Sequence, residues 1–154
     1  MSTASLFEWR KPFEMDKRVL SREVRLQAAL ERIGSNNPHC AICNEGTPFC
    51  LERHHIGGRA NDGVSAILCR NCHRKQTEMQ KEHPVAKPGS DPLLAAIAAV
   101  LFGLADILDA VKDRLPDGLE ALCETVVPWL YQAGESLLER AQPVTTAPIG
   151  PTAS

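Results

Sequence analysis

Two Cys-x-x-Cys pairs, Cys40/Cys43 and Cys69/Cys72, with 25 residues between them, constrain this chain more than any other feature. Each pair turns two thiolates toward one point, and two pairs complete a closed tetrahedral four-sulfur site for zinc. Four thiolates leave no open coordination position, so such a zinc holds the fold and does no chemistry of its own. A disulfide framework is the competing use of these cysteines. It fits poorly, because no secretory signal precedes them and their spacing is the zinc kind. A thioredoxin-like redox pair needs a βαβ pattern around it, and neither pair has one. Cys50 belongs to neither pair and reads as a small buried apolar residue.

The segment from Pro38 to Pro84 holds five of the six cysteines and all five histidines. Within it, Phe49–His55 reads as a strand, 57–63 as a Gly/Asn/Asp loop and Val64–Leu68 as a second strand. Cys69–Cys72 follows as the second knuckle and His73–Glu82 as a polar helix. If one zinc draws Cys43 to Cys69 and Cys72, the end of the first strand meets the start of the helix. His54 and His55 then approach His73, which lies 18 residues beyond the doublet. Two imidazoles with a carboxylate or water can bind a second metal that keeps an open position. Neighbouring residues on a strand face opposite sides. Both histidines therefore reach one site only if the strand ends or twists there, which Gly57-Gly58 permits. His83, beside Pro84, reads as a helix-end cation complementing the macrodipole.

HHIGGRAND…ILCRNCHRKQ, taken with the upstream Cys-x-x-Cys, resembles the HNH, or ββα-metal, endonuclease family in its four-cysteine zinc-ribbon variant. The resemblance covers roughly a third of the chain, from Pro38 to Pro84. It implies that His54 and His73 ligate a catalytic divalent metal and that His55 is the general base. The family's central asparagine, about five residues before the third cysteine, falls at Val64. The nearest substitute is Asn61, in the loop. A neutral imidazole can take a proton from water, while a hard divalent cation stabilises charge on the phosphate. Magnesium is favoured because it needs few protein ligands. Manganese, nickel and zinc suit imidazole by softness and stay open. Arg59 and Arg70 are candidates to clamp phosphate with a forked geometry, joined by Arg74 and Lys75 on the helix.

The flanks carry less. Residues 1–90 hold 14 Lys/Arg against 10 Asp/Glu, and residues 91–154 hold 3 against 9. The basic half therefore contains the metal motif, as a nucleic-acid partner (DNA favoured) would require. Residues 1–15 form a flexible start. A helix is expected from Asp16 to Ile33, with Val19, Leu26, Leu30 and Ile33 inward and Lys17, Arg18, Arg22, Arg25 and Arg32 outward. Residues 16–84 make up the helix and metal module, 85–92 a linker, 93–140 an amphipathic helical hairpin and 141–154 a disordered tail.

In the hairpin, Leu93, Ile97, Val100, Leu104, Ile107 and Val111 form one apolar stripe. Leu119, Leu122, Val126, Leu130, Ala133 and Leu137 form the other, which Pro128 should kink or split. The hairpin either folds back on the metal module or builds a homodimer, and its wide apolar faces favour the dimer. A membrane span is rejected on length and on Asp106 and Asp109. The chain thus reads as an α+β, cytoplasmic, metal-dependent nuclease. A catalytically silent zinc module binding nucleic acid, and a protein-interaction module, are the alternatives.

Overall fold

The structure is a computed structural model that describes residues 21–61 and 63–143. The readings made for residues 1–20, including Val19, Lys17 and Arg18, and for the tail beyond Pro143 lie outside the described residues. Among the described residues the chain is α+β, with four α-helices and one two-stranded antiparallel sheet. Helix α1 (Arg22–Ile33) starts where the Ser21 hydroxyl accepts from the Val24 N–H, and stops at Gly34 with φ 77°. It buries Ala29 and Ile33, whereas Leu26 stays partly exposed. Arg32 is not merely an outward cation, since its guanidinium donates to the Leu51 carbonyl.

Strand β1 is Leu51–His55 and strand β2 is Ser65–Cys69, paired from Leu51↔Cys69 to His55↔Ser65. The first strand starts two residues later than expected because Pro48, with fixed φ and no N–H, opens a single 3₁₀ turn over Pro48–Cys50. That turn keeps Cys50 exposed, so the expectation of a buried Cys50 is corrected. The second strand is shifted by one: Val64 lies outside it, although its carbonyl accepts from the Ile56 N–H. Helix α2 (Arg70–Glu82) begins three residues earlier than expected. A Cys-x-x-Cys spacing is close to one helical turn of 3.6 residues, so the second knuckle is itself the helix start, with Cys69 at the cap.

Helix α3 (Pro92–Val111) begins on Asp91, whose carboxylate accepts from the N–H groups of Leu93 and Leu94, with Pro92 in the first turn. Helix α4 (Leu119–Ala141) runs through Pro128 as one element, so of the expected kink or split the split does not occur. Pro128 and Glu124, whose carbonyl loses its partner, are both on the exposed side, where water can serve it. The stripes are corrected in part: Leu130 is buried as expected and Leu104, Val111, Val126 and Leu137 pack against core clusters, but other positions differ. Helix α3 buries Ala98, Phe102, Gly103, Ala105 and Asp106, and leaves Leu93 67% exposed. Helix α4 buries Cys123, Val127, Leu130, Gly134, Leu138 and Ala141, and leaves Leu119, Leu122 and Trp129 exposed. Small residues win these positions because they let the helices approach: a Cβ on Gly134 would lie 2.6 Å from the Phe102 ring.

The hairpin is folded back on the metal module. Ala110 and Val111 pack on the core of Ile33, Cys40, Ile42, Leu51, Leu68 and Cys69, and Arg114 donates to the Ile42 carbonyl. By length and composition α3 could cross a membrane, against the expectation from sequence. Here it lies between α4 and the module and carries a fully buried Asp106. That carboxylate accepts from His83 Nε2 at 2.8 Å and from the Tyr131 hydroxyl at 2.6 Å. His83 is thus a tie between α2 and the hairpin, beyond the dipole role expected of it. Burial, then Asp106, pushes the Tyr131 hydroxyl above its usual range and keeps it a donor.

Removing one partner of a buried pair typically costs about 3–5 kcal/mol, while a lost hydrogen bond to a charged group costs about 1.5–3 kcal/mol. Asp106→Ala, which removes both bonds, is therefore expected to destabilise the fold more than Tyr131→Phe. Urea denaturation followed by circular dichroism checks the ranking, and equal small losses would refute it.

Candidate metal centre

The Cys40–Cys43 turn closes through Asn44 N–H to the Cys40 carbonyl (2.9 Å) and Cys40 N–H to the Glu45 carbonyl (2.8 Å). Ala41 N–H reaches the Ile67 carbonyl at 2.9 Å and docks this turn on β2. The four sulfurs of Cys40, Cys43, Cys69 and Cys72 consequently lie within 4.8 Å of one another, and Cys43 and Cys69 are 3.5 Å apart. Tetrahedral zinc–thiolate bonds of about 2.3 Å place sulfurs about 3.8 Å apart, so the four cysteines can hold a metal ion such as zinc. Burial acts to raise the Cys40 thiol, but the backbone around Cys43, Cys69 and Ile42 outweighs it and brings the group down to about 7. Cys72 is pushed well up, first by burial and then by the neighbouring thiols. A bound cation reverses this balance by stabilising thiolates.

The same cluster positions the histidines. Glu52 and His54, two residues apart on β1, lie on the side that meets α2. His73 follows Cys72 in the first turn of α2. The His54 and His73 rings stand 5.0 Å apart, edge to face at 76°. His73 Nδ1 lies 2.8 Å from Glu52 Oε2, and Arg70 Nε donates to Glu52 Oε1 at 3.2 Å. With Nδ1 donating to the carboxylate, Nε2 of His73 is left as the lone-pair nitrogen, the usual way a carboxylate orients a metal-binding imidazole. His54 is 2% exposed. Burial, with His73 and His55 nearby, lowers its pKa to about 4, so it stays neutral at neutral pH and can act as a ligand. The Glu52 carboxyl is held below its usual range, chiefly by the His73 hydrogen bond.

His55 ends β1 opposite Ser65 and is half-buried. The chain then turns: Gly58, at φ 79°, donates to the His55 carbonyl at 3.0 Å. Asn61 sits in a short 3₁₀ turn (Arg59–Asn61), and its side-chain amide donates to the Gly57 carbonyl at 2.8 Å. Gln80 of α2 donates to the carbonyls of both His55 (2.9 Å) and Ile56 (2.7 Å). Arg59, Arg70, Arg74 and Lys75 are exposed. The structure therefore brings together the four cysteines, and separately His54 with His73. Among the described residues, only the cysteines bring three or more ligand atoms within 4.8 Å of one another.

Two residues were missed from sequence. Glu52 had a signal, lying one strand repeat before His54. Gln80 had a fainter one, lying seven residues after His73 and so on the same helical face. Comparison of the chain with family models, curated proteins and solved structures gives no match.

Folded protein is expected to carry about one tightly held zinc per chain, and to lose the structure of residues 38–84 on chelation or as Cys69→Ser. Such binding is folding free energy, about 10–16 kcal/mol in zinc-finger peptides. Folded protein without zinc by elemental analysis would contradict it.

Proposed function

We propose that the chain is a metal-dependent endonuclease hydrolysing phosphodiester bonds of nucleic acid, DNA favoured, through an HNH-like ββα-metal site. The observation that carries the reading is the pairing of buried His54 with His73, whose ring is oriented by Glu52. A single divalent cation on these two imidazoles (magnesium favoured; manganese, nickel or zinc as alternatives) would stabilise charge building on the phosphate oxygens. Two protein ligands leave room for phosphate and water, unlike the four-cysteine cluster, whose zinc would be structural.

The chain's own residues do the rest. His54 binds as a neutral imidazole, and Glu52 holds His73 by its other nitrogen. His55 is the general base that takes a proton from the attacking water. Asn61 braces the loop through the Gly57 carbonyl, a supporting role in place of the asparagine that Val64 does not supply. Arg59, Arg74 and Lys75 are exposed cations available to phosphate, whereas Arg70 is shared with Glu52. The second reading, a catalytically silent zinc module, is supported by the four cysteines, which among the described residues alone bring three or more ligand atoms within 4.8 Å of one another.

Nicking of supercoiled plasmid by purified protein with magnesium, manganese or nickel decides between them. His55→Ala should slow cleavage by about 10²–10⁴-fold, the range for a lost general base, with metal affinity nearly unchanged. His73→Ala should instead weaken binding of the second metal in calorimetric titration. Equal metal affinities in the two variants, or wild-type cleavage by His55→Ala, would reject the roles. Glu52→Ala should lower that metal's affinity by about 10–100-fold, as lost outer-shell support does. Unchanged affinity would remove Glu52 from the site.

A further inference from the structure

Gln80 makes an unusual pair of bonds. One side-chain nitrogen donates to two consecutive backbone carbonyls, His55 at 2.9 Å and Ile56 at 2.7 Å. On a regular strand consecutive residues alternate direction, and their carbonyls point to opposite edges. Both can reach one amide only because the backbone leaves the pleat at Ile56, whose own N–H still bonds the Val64 carbonyl. The strand therefore ends directly after His55, which still pairs with Ser65, and Gln80 spans that exit.

Within the loop, the Gly58 N–H donates to the same His55 carbonyl and the Asn61 amide donates to the Gly57 carbonyl. The loop from Gly57 to Asn61 borders a cavity of about 510 Å³, so side-chain packing does not back it there. On the opposite side α3 presses directly on the backbone: a Cβ on Gly103 would lie 1.9 Å from the Ile56 carbonyl oxygen. Gly57 meets Val100 of α3 in the same way, at 2.7 Å for a Cβ added there. The carbonyl of Ile56 is thus caught between an amide donor on α2 and a glycine on α3.

The geometry points to Gln80 as the positioning residue of the histidine doublet, fixing the exit of β1 and through it the direction of the His55 ring. This rests on the nuclease reading for its catalytic consequence, not for its geometry. Gln80→Met is the informative variant, because it keeps length and volume and removes both donors. In zinc-loaded protein at a temperature where circular dichroism shows full folding, the His55 ring resonances should move while those of His39 stay. Plasmid cleavage by Gln80→Met should fall by about 10–100-fold, the scale of a small misplacement of a reacting group. The loss should lie in kcat, with KM for DNA near wild type. Gly103→Ala, which pushes the same carbonyl from α3, should move the same His55 signals.

Wild-type cleavage together with unmoved His55 resonances in Gln80→Met would overturn the inference. So would loss of zinc or of folded structure in that variant, since Gln80 would then be a structural prop. If wild-type protein nicks no plasmid with any of the metals, the nuclease reading falls. The His55 resonances of Gln80→Met still decide the positioning role in that case.

Discussion

The convergence of four cysteine sulfurs within 4.8 Å is the constraint on which the rest of the molecule depends. It ties the turn at Cys40–Cys43 to the junction where β2 becomes α2, and that junction is the one place where a cysteine knuckle is also a helix start. With only two strands of five residues each, the sheet is too small to be stable alone. The cluster fixes where α2 begins, and His73 in its first turn is thereby set against Glu52 and His54 of β1. The cysteine cluster thus sets the geometry of a histidine–carboxylate group that contains none of its own residues.

The face that α2 turns inward is polar. His73, Gln76, Gln80 and His83 recur at spacings of three, four and three, the period of one helical face. Each has a partner that an apolar side chain in its place could not engage: Glu52 for His73, Met79 sulfur for Gln76, two loop carbonyls for Gln80 and Asp106 for His83. Burying amides and imidazoles costs free energy unless they are bonded, so a helix used only as packing would not carry this face. The helical hairpin completes the arrangement. Gly103 allows α3 to press on the backbone leaving β1, and Asp106 fastens the far end of α2 through His83. The hairpin is therefore a support for the loop as well as a second core.

Much of this was legible in the sequence, for identifiable reasons. Cysteine spacing is a local code, and it gave the cluster. The order strand, strand, helix followed from Gly, Pro and the knuckles, with errors of one to three residues where Pro48 opened a turn and where Cys69 capped a helix. The hairpin was legible as two helices but not as a packing arrangement. Apolar periodicity selected Leu93, Ile97, Leu119 and Leu122, while the structure buries Ala98, Ala105, Gly134 and Asp106 instead. Close helix approach rewards small residues, and a buried carboxylate is readable only when its distant partners, His83 and Tyr131, are known. Glu52 and Gln80 were hidden for the same reason, since each acts through a residue far along the chain.

We propose that the cysteine cluster sets up a second, open metal site at His54 and His73. The most direct test is a crystal of the zinc-loaded protein soaked in manganese, with anomalous differences recorded at wavelengths that separate the two elements. The account predicts two peaks: zinc among the four sulfurs, and manganese against the ring nitrogens of His54 and His73. Zinc alone, with no manganese at the histidine pair in wild-type protein, would contradict it.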